Sequence, residues 1–433
     1  MVKVITYGTY DLLHYGHIRL LERAKSLGDY LIVGVTSDDF DKARGKINVQ
    51  QSLMERIEAI RATGLANEII IEEYEGQKLD DIRKYNVDIF TVGSDWKGKF
   101  DYLNEYCEVI YLERTEGVSS SEIRSEKRNI RLGLIGEVDL LYKVYTESKF
   151  VNGIDVVAAY TKNNKIVESK LEVLNSLEEL LDVCDAVYIA SHPESHYKII
   201  LSCLNKNKHV LCETPTTLNK KENEELILLA KKNSCILMDF LKTAYAPAYN
   251  RLLALMKSGK IGKIISVDAV CTSMIDIQDS LWNSMYYWGP TALLPIFNLL
   301  GTEYNYKMVV SKICDNKPIF TKIDFIYDEA VASIKVGNGV KSEGELIISG
   351  TKGYAYVPAP WWKTDYFEIR YEEQSNNKRY FYQLDGEGIR YQLVAFVKMI
   401  ETGSNLSYID EDISNAICTI MQDFNNGINL KVI

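Results

Sequence analysis

Two histidines three positions apart, His14 and His17, stand in the run GTYDLLHYGH, which extends from Gly8 to His17. The run follows an apolar strand pattern and opens an amphipathic one, so it sits where a first strand ends and a first helix begins. That is where α/β folds bind ligands. Near a helix start, side chains three apart face the same way, beside backbone N–H groups without helical partners and the positive end of the helix dipole. An anionic triphosphate fits such a corner. Transfers at phosphorus need positioning and stabilisation of charge on phosphate oxygens, and require no covalent nucleophile. The plainer reading of the pair is a helix cap or core filler. A small-residue turn, a carboxylate and two imidazoles converging on one strand end favour the chemical reading.

The elements that must hold this corner are legible as alternating apolar runs. VKVITYG, DYLIVGVTS, ANEIIIE, VDIFTVGSD and CEVIYLER read as strands separated by amphipathic stretches, which predicts a parallel, doubly wound sheet over residues 1–128. The polar run SEKRN marks a boundary, after which IRLGLIG starts a second Rossmann-like series through DVVAAYT, DAVYIAS, KHVLCET and SCILMDF, over 129–245. From 246 to 433 the texture changes to many strands with few helices between them, including IISVDAV, KIDFIYD, VASIKV, GELIISG, GYAYV, YFEIRYE and RYFYQL. This suits an α+β domain with an open, largely antiparallel sheet.

Composition bounds the function. In 433 residues with a net charge of -10 there is no basic excess to neutralise a nucleic-acid backbone, so no nucleic-acid partner is expected. Eight cysteines without a CxxC pair read as reduced, mostly buried thiols rather than a metal site. The N-terminus enters a strand at once, without a secretion-signal pattern, and no run reaches membrane-spanning length. A cytoplasmic protein without membrane insertion is expected.

Residues 1 to about 128 resemble the HxGH nucleotidyltransferases, and within them the CTP:glycerol-3-phosphate cytidylyltransferases. The resemblance rests on GTYDLLHYGHIRLLERAK, on VGSDWKGKFDYL from Val92 to Leu103, and on RTEGVSSSEIR from Arg114 to Arg124. It implies that Gly8, Thr9, Tyr10 and Asp11 line the nucleotide site, with His14 and His17 on the CTP phosphates, Mg²⁺ between them and Arg114 nearby. Thr115, Ser119 and Ser120 would bind phosphate at another helix start, although the serine run also suits a cap. Lys46 resembles a lysine that reaches the α-phosphate, Arg44 and Lys78 resemble contacts to the acceptor, and Asp95 and Trp96 fall near the ribose and base. No protein ligand to the metal is assigned. The implied reaction is in-line attack of an acceptor phosphate on the α-phosphorus of CTP, giving a CDP-polyol, in the family CDP-glycerol for teichoic acids or capsules. Ribitol, glucitol or ketose phosphates remain alternative acceptors.

Residues from about 129 to 400 resemble the Gfo/Idh/MocA oxidoreductases, through SHPESH, KHVLCETPTTLNKKENEELILLAKK, APAYNRLLALMKSGKIGKI and SGTKGYAYVPAPWWKTDYFEIRYE. The expected chemistry is missing. Where dinucleotide binding asks for GxGxxG, the chain has Gly136, Glu137, Val138, Asp139, Leu140 and Leu141, and Val138 obstructs the approach to a pyrophosphate. Thr161 and Lys162 replace the ribose-binding carboxylate, Thr214 stands for the catalytic lysine, and Tyr287 and Thr291 stand for the family's aspartate and histidine. NAD(P) is therefore not expected as a cofactor. His192, His196 and His209 read as capping or packing residues. The half is read as a noncatalytic assembly module, its sheet face and the Trp361–Trp362 stretch joining a homodimer or higher homo-oligomer. A second enzyme that reduces a sugar, and a non-redox ligand site, are the alternatives.

Overall fold

The computed structural model describes residues 1–433 except 44–48, 50, 75, 114–128, 162–170, 276–281, 316, 383 and 405–406, and gives no side-chain placement for 39, 42, 43 and 95. The chain divides into two compact units, Met1–Asn129 and Ile130–Ile433.

The first unit is a five-stranded sheet in the order β3-β2-β1-β4-β5, formed by β1 (Lys3–Gly8), β2 (Tyr30–Thr36), β3 (Glu68–Glu72), β4 (Ile89–Gly93) and β5 (Glu108–Leu112). Every pairing is parallel. Among the described residues its α-helices are α1 (Tyr15–Ser26), α2 (Asp38–Ala43), α3 (Leu53–Ala62) and α4 (Gln77–Tyr85). Successive strand side chains point to opposite faces. Val4, Leu31 and Val33 pack with Leu21, Ala24, Ile57 and Ile60 in one core, and Ile5, Ile32 and Phe90 pack with Ile82 and Leu103 in another. Burial on both faces is why these strands read as unbroken apolar runs. Gly34 on β2 is required by packing, because a Cβ there would enter the Tyr7 ring. Strand order reverses at β1, which places the ends of β1 and β4 on either side of the crevice that such sheets use for ligands.

The second unit contains two sheets. The first, in the order β11-β10-β9-β6-β7-β8, is parallel throughout. Its elements are β6 (Ile130–Gly136), α5 (Val138–Ser148), β7 (Ile154–Tyr160), β8 (Glu172–Val173), α6 (Leu177–Val183), β9 (Ala186–Ala190), α7 (Pro193–Asn205), β10 (His209–Glu213), α8 (Lys220–Lys232) and β11 (Leu237–Phe240). After α9 (Pro247–Lys257) comes a nine-stranded sheet in the order β19-β18-β17-β16-β12-β15-β14-β13-β20. Its strands are β12 (Ile264–Ser273), β13 (Tyr306–Cys314), β14 (Lys317–Ile326), β15 (Val331–Asn338), β16 (Leu346–Gly350), β17 (Tyr354–Val357), β18 (Tyr366–Arg370), β19 (Lys378–Phe381) and β20 (Leu430–Val432). Only the β12–β15 and β13–β20 pairs are parallel. The overall class is α/β, with two Rossmann-like sheets and an open mixed sheet.

Three further helices complete this unit: α10 (Ser284–Leu300), α11 (Ile389–Thr402) and α12 (Glu411–Asn425). The last two return to the parallel sheet. Gln392 Nε2 donates to the Asp239 carbonyl at 2.7 Å, and Asn223 Nδ2 donates to Ser414 Oγ at 3.1 Å and Asn415 Oδ1 at 2.8 Å. Trp361 and Trp362 are buried, 1% and 8% exposed, so they fill the core and do not supply an assembly contact. All eight cysteines are free, and all but Cys107 and Cys314 are buried. No helix among the described residues is long and apolar enough to cross a membrane.

Candidate functional site

The site of the first unit is built at the C-terminal end of β1. The chain leaves Gly8 through a turn in which Tyr10 and Leu12 hold φ of +54° and +48°. Non-glycine residues there cost about 1–3 kcal/mol each, so the surrounding structure must impose the turn. Gln51 grips it from both sides: its amide N–H donates to Asp11 Oδ1 at 2.9 Å, and its side-chain oxygen accepts from the Leu12 N–H at 2.7 Å.

Beneath the turn lies Arg56, fully buried. Its Nη1 donates to the Thr9 carbonyl at 2.7 Å and the Thr36 carbonyl at 2.8 Å, joining the ends of β1 and β2, while Nε donates to the Gln51 carbonyl at 3.1 Å. It also pairs with Asp38 and, at 3.7 Å, with the buried Asp41, which accepts a 2.8 Å bond from the Thr9 hydroxyl. A planar fork of donors is what one cation needs to reach so many oxygens. The motif reading missed Arg56. The sequence signal was the capping box immediately before it, in which Ser52 and Glu55 cap each other at the start of α3.

His14 is the N-cap of α1, its Nδ1 accepting from the Gly16 N–H at 3.1 Å. The cap and the chemical reading are compatible, because an accepting Nδ1 puts the neutral ring's proton on Nε2, where it can be donated to a phosphate oxygen. The His14 and His17 rings stack at 3.8 Å with planes 25° apart, and Tyr10 meets His17 edge-on at 5.5 Å. Tyr10 itself is buried in the core under Gly8, and burial raises its phenol pKa. Its side chain therefore supports His17 from below rather than lining an open nucleotide surface.

On the other side of the crevice, β4 ends in a short helical turn, Ser94–Trp96. Trp96 is exposed, with Lys99 Nζ 4.7 Å over its ring. The Asp95 side chain is outside the described set. Lys78 is not solvated: it is ion-paired with the buried Glu72 and lies 4.8 Å over the Tyr7 ring. Arg44, Lys46, Arg114, Thr115, Ser119 and Ser120 lie outside the described residues. The structure thus brings Gly8, Thr9, Tyr10, Asp11, His14 and His17 together at one strand end.

In the second unit, Glu213, Thr214, Tyr287 and Thr291 line one cavity, so the positions read as altered do share a cleft. Gly136 holds φ of +131°, and a Cβ there would strike the Ala190 carbonyl. The next N–H, of Glu137, is bonded to that carbonyl at 2.9 Å. His192 caps α7, His196 is buried between the Pro215 and Ser191 carbonyls at 3.0 and 2.8 Å, and His209 Nδ1 accepts from the Ile236 N–H at 3.0 Å. These three are structural.

A switch-point crevice with stacked imidazoles at a helix N-terminus defines a nucleotidyltransferase corner. Residues 5–126 match the cytidylyltransferase-like family, and residues 132–240 match the oxidoreductase family with an NAD-binding Rossmann fold. A glycerol-3-phosphate cytidylyltransferase of Bacillus spizizenii is 52% identical over 130 residues, 30% of this chain and 100% of that protein. The chain belongs to the cytidylyltransferase-like family, as a CTP-dependent nucleotidyltransferase whose first unit resembles the glycerol-3-phosphate enzymes and is fused to an oxidoreductase-like body. The scyllo-inositol 2-dehydrogenase (NADP(+)) IolU of Bacillus subtilis is 30% identical over 131 residues, 28% of this chain and 40% of that protein. A 3-ketoreductase from Actinomadura kijaniata, solved with NADP and TDP-benzene, superposes with a TM-score of 0.62 at 17% identity, covering 71% of this chain and 100% of that one. That likeness concerns the fold alone.

Proposed function

We propose that the first unit transfers the cytidylyl group of CTP to glycerol 3-phosphate, releasing pyrophosphate and forming CDP-glycerol for a phosphate-containing surface polymer. The observation that carries this reading is the stacked His14–His17 pair at the start of α1, in a unit 52% identical to a glycerol-3-phosphate cytidylyltransferase. The α1 N-terminus and the two imidazoles hold the triphosphate and stabilise charge that builds as the α-phosphorus is attacked in line. The acceptor phosphate is already ionised, so no general base is needed. Lys46 and Arg114 are assigned to the CTP phosphates, Thr115, Ser119 and Ser120 to further phosphate contacts, Asp95 and Trp96 to the nucleoside, and Arg44 and Lys78 to the acceptor.

Among the described residues, no group of three or more His, Cys, Asp or Glu side chains is placed to hold a metal. Magnesium is assigned to the triphosphate, since this ion is commonly carried by substrate phosphates.

The second unit is assigned to assembly. One face of its nine-stranded sheet exposes Tyr306, Met308, Ile326, Val331 and Tyr354 beside the Lys322–Asp324 ion pair, a mixed apolar and charged surface suited to pairing two copies. A reductase is the competing reading, favoured by the identity with IolU. Against it stand Val138 at the head of α5 and the threonines at 214 and 291. The test is pyrophosphate release from CTP and magnesium over a panel of polyol and ketose phosphates, with and without NADPH. Release with glycerol 3-phosphate and no nicotinamide absorbance change is expected. Turnover only with a longer acceptor would move the substrate, and NADPH oxidation would replace the assembly reading.

A further inference from the structure

The turn that carries the histidine pair is held from behind. Between Gly8 and His14 it passes through two left-handed residues that are not glycine, Tyr10 and Leu12, at φ of +54° and +48°. Such a turn does not keep its own shape, because residues with a side chain relax out of that region unless neighbours impose it. Two clamps reach it from the start of α3. Arg56 Nη1 donates to the Thr9 carbonyl, ahead of the first left-handed residue, at 2.7 Å. Gln51 takes the other side: its amide N–H donates to Asp11 Oδ1 at 2.9 Å, and its Oε1 accepts from the Leu12 N–H at 2.7 Å. One residue thus supplies a donor and an acceptor to adjacent positions of the turn. Leu12 stands two residues ahead of His14, the N-cap of α1. Gln51 is itself fixed, since its carbonyl accepts from Arg56 Nε at 3.1 Å and the next residue, Ser52, caps α3.

We propose that Gln51 is a positioning residue for nucleotidyl transfer, its side-chain oxygen fixing Leu12 and, through the backbone of the turn, the setting of His14 and His17 toward the triphosphate. This role rests on the transfer reaction proposed for the first unit. A long side chain ending in a neutral acceptor is what position 51 requires. Asparagine falls one methylene short, lysine and arginine carry no acceptor, and glutamate supplies the oxygen but adds a negative charge beside Asp11 and the triphosphate. The two imidazoles act on charge that develops as the α-phosphorus is attacked, so a small displacement of their rings weakens the transition state more than it weakens the binding of CTP. The loss on removing the Gln51 oxygen therefore falls on kcat rather than on KM.

The test is Gln51→Met in the full chain, a side chain of similar length without the acceptor. For pyrophosphate release from CTP and glycerol 3-phosphate, kcat should fall about tenfold to a hundredfold, with KM for CTP changed by less than about threefold. Gln51→Glu, which restores the acceptor, should bring kcat back to within a few-fold of the unsubstituted chain while its charge raises KM for CTP. A second readout needs no turnover. The chain has five histidines, three of them in the second unit, so the imidazole C–H signals in an NMR spectrum divide into a pair and a trio. Gln51→Met should shift the pair, His14 and His17, and leave His192, His196 and His209 unmoved. Unmoved His14 and His17 signals, or an undiminished kcat in Gln51→Met, would overturn the proposal, as would an equal loss of kcat in Gln51→Met and Gln51→Glu. An unsubstituted chain that releases no pyrophosphate from CTP with any polyol phosphate would instead overturn the transfer reading, and the histidine signals would still decide whether Gln51 sets the two rings.

Discussion

His14 does two jobs that substitution can separate. Asparagine is among the best N-cap residues but carries no imidazole. We predict that His14→Asn lowers kcat about a hundredfold to a thousandfold, measured as pyrophosphate release, with no change in thermal unfolding. His14→Ala should show the same kinetic loss and also destabilise the unit by about 1 kcal/mol. A His14→Asn enzyme with full activity would return the residue to capping alone. Arg56 gives the contrasting case. Removing its guanidinium strands the Thr9 and Thr36 carbonyls and the buried Asp41, so Arg56→Met should cost about 3–5 kcal/mol in the urea unfolding of the first unit. Arg56→Lys should recover only part of it, because a point charge does not span the same oxygens. The difference in legibility follows from range. The histidine pair is local, and spacing alone reveals it, whereas Arg56 joins positions 9, 36, 38, 41 and 51, whose meeting is a property of the folded sheet.

At the scale of elements, the strands of both parallel sheets except the two-residue β8 were readable, because burial on both faces makes them apolar runs bounded by turns. Strand β13 was not, since YKMVVSKIC mixes exposed and buried positions with lysines at both ends. Helix α10 carries Pro290 and Pro295 inside and is apolar on nearly every side, a pattern that resembles no amphipathic surface helix and suits a buried one. Helices α11 and α12 return to the edge of the parallel sheet through contacts with residues near 223 and 239, a long-range pairing that local pattern does not encode. The end of β10 also sets a pH response. Glu213 titrates near 7 in the folded state against an ordinary 4.5, so between these values the folded protein keeps a proton that the unfolded chain has released. Its contribution is complete below about pH 4.5 and is lost as pH rises through about 7, a change on the order of 3 kcal/mol. Glu213→Gln should flatten this slope in denaturation curves taken from pH 5 to pH 8. An unchanged slope would assign it to other groups.

At the scale of the whole molecule, a relative of similar length to the first unit is covered completely by it, and the proposed transfer reaction therefore predicts that about the first 130 residues suffice. Expressed alone, residues 1–129 should retain release of pyrophosphate within a few-fold of the full chain, and a total loss would show that the second unit takes part in transfer. The exposed sheet face makes a separate prediction. Met308→Glu, or Tyr306→Arg, should convert a dimer to a monomer in light scattering while leaving the stability of the isolated chain nearly unchanged, because both side chains are exposed in one copy. The rims of that sheet carry a further implication. They are β19, with Lys378 and Arg379 exposed, and the three-residue β20, with Lys431. Short, charged margins are poor templates for adding another strand. Two copies meeting broadside share one patch about a twofold axis and so close on themselves, whereas margin-to-margin addition would propagate. If the proposed face-to-face assembly holds, it therefore gives a discrete pair and not a growing filament, even when the protein is crowded.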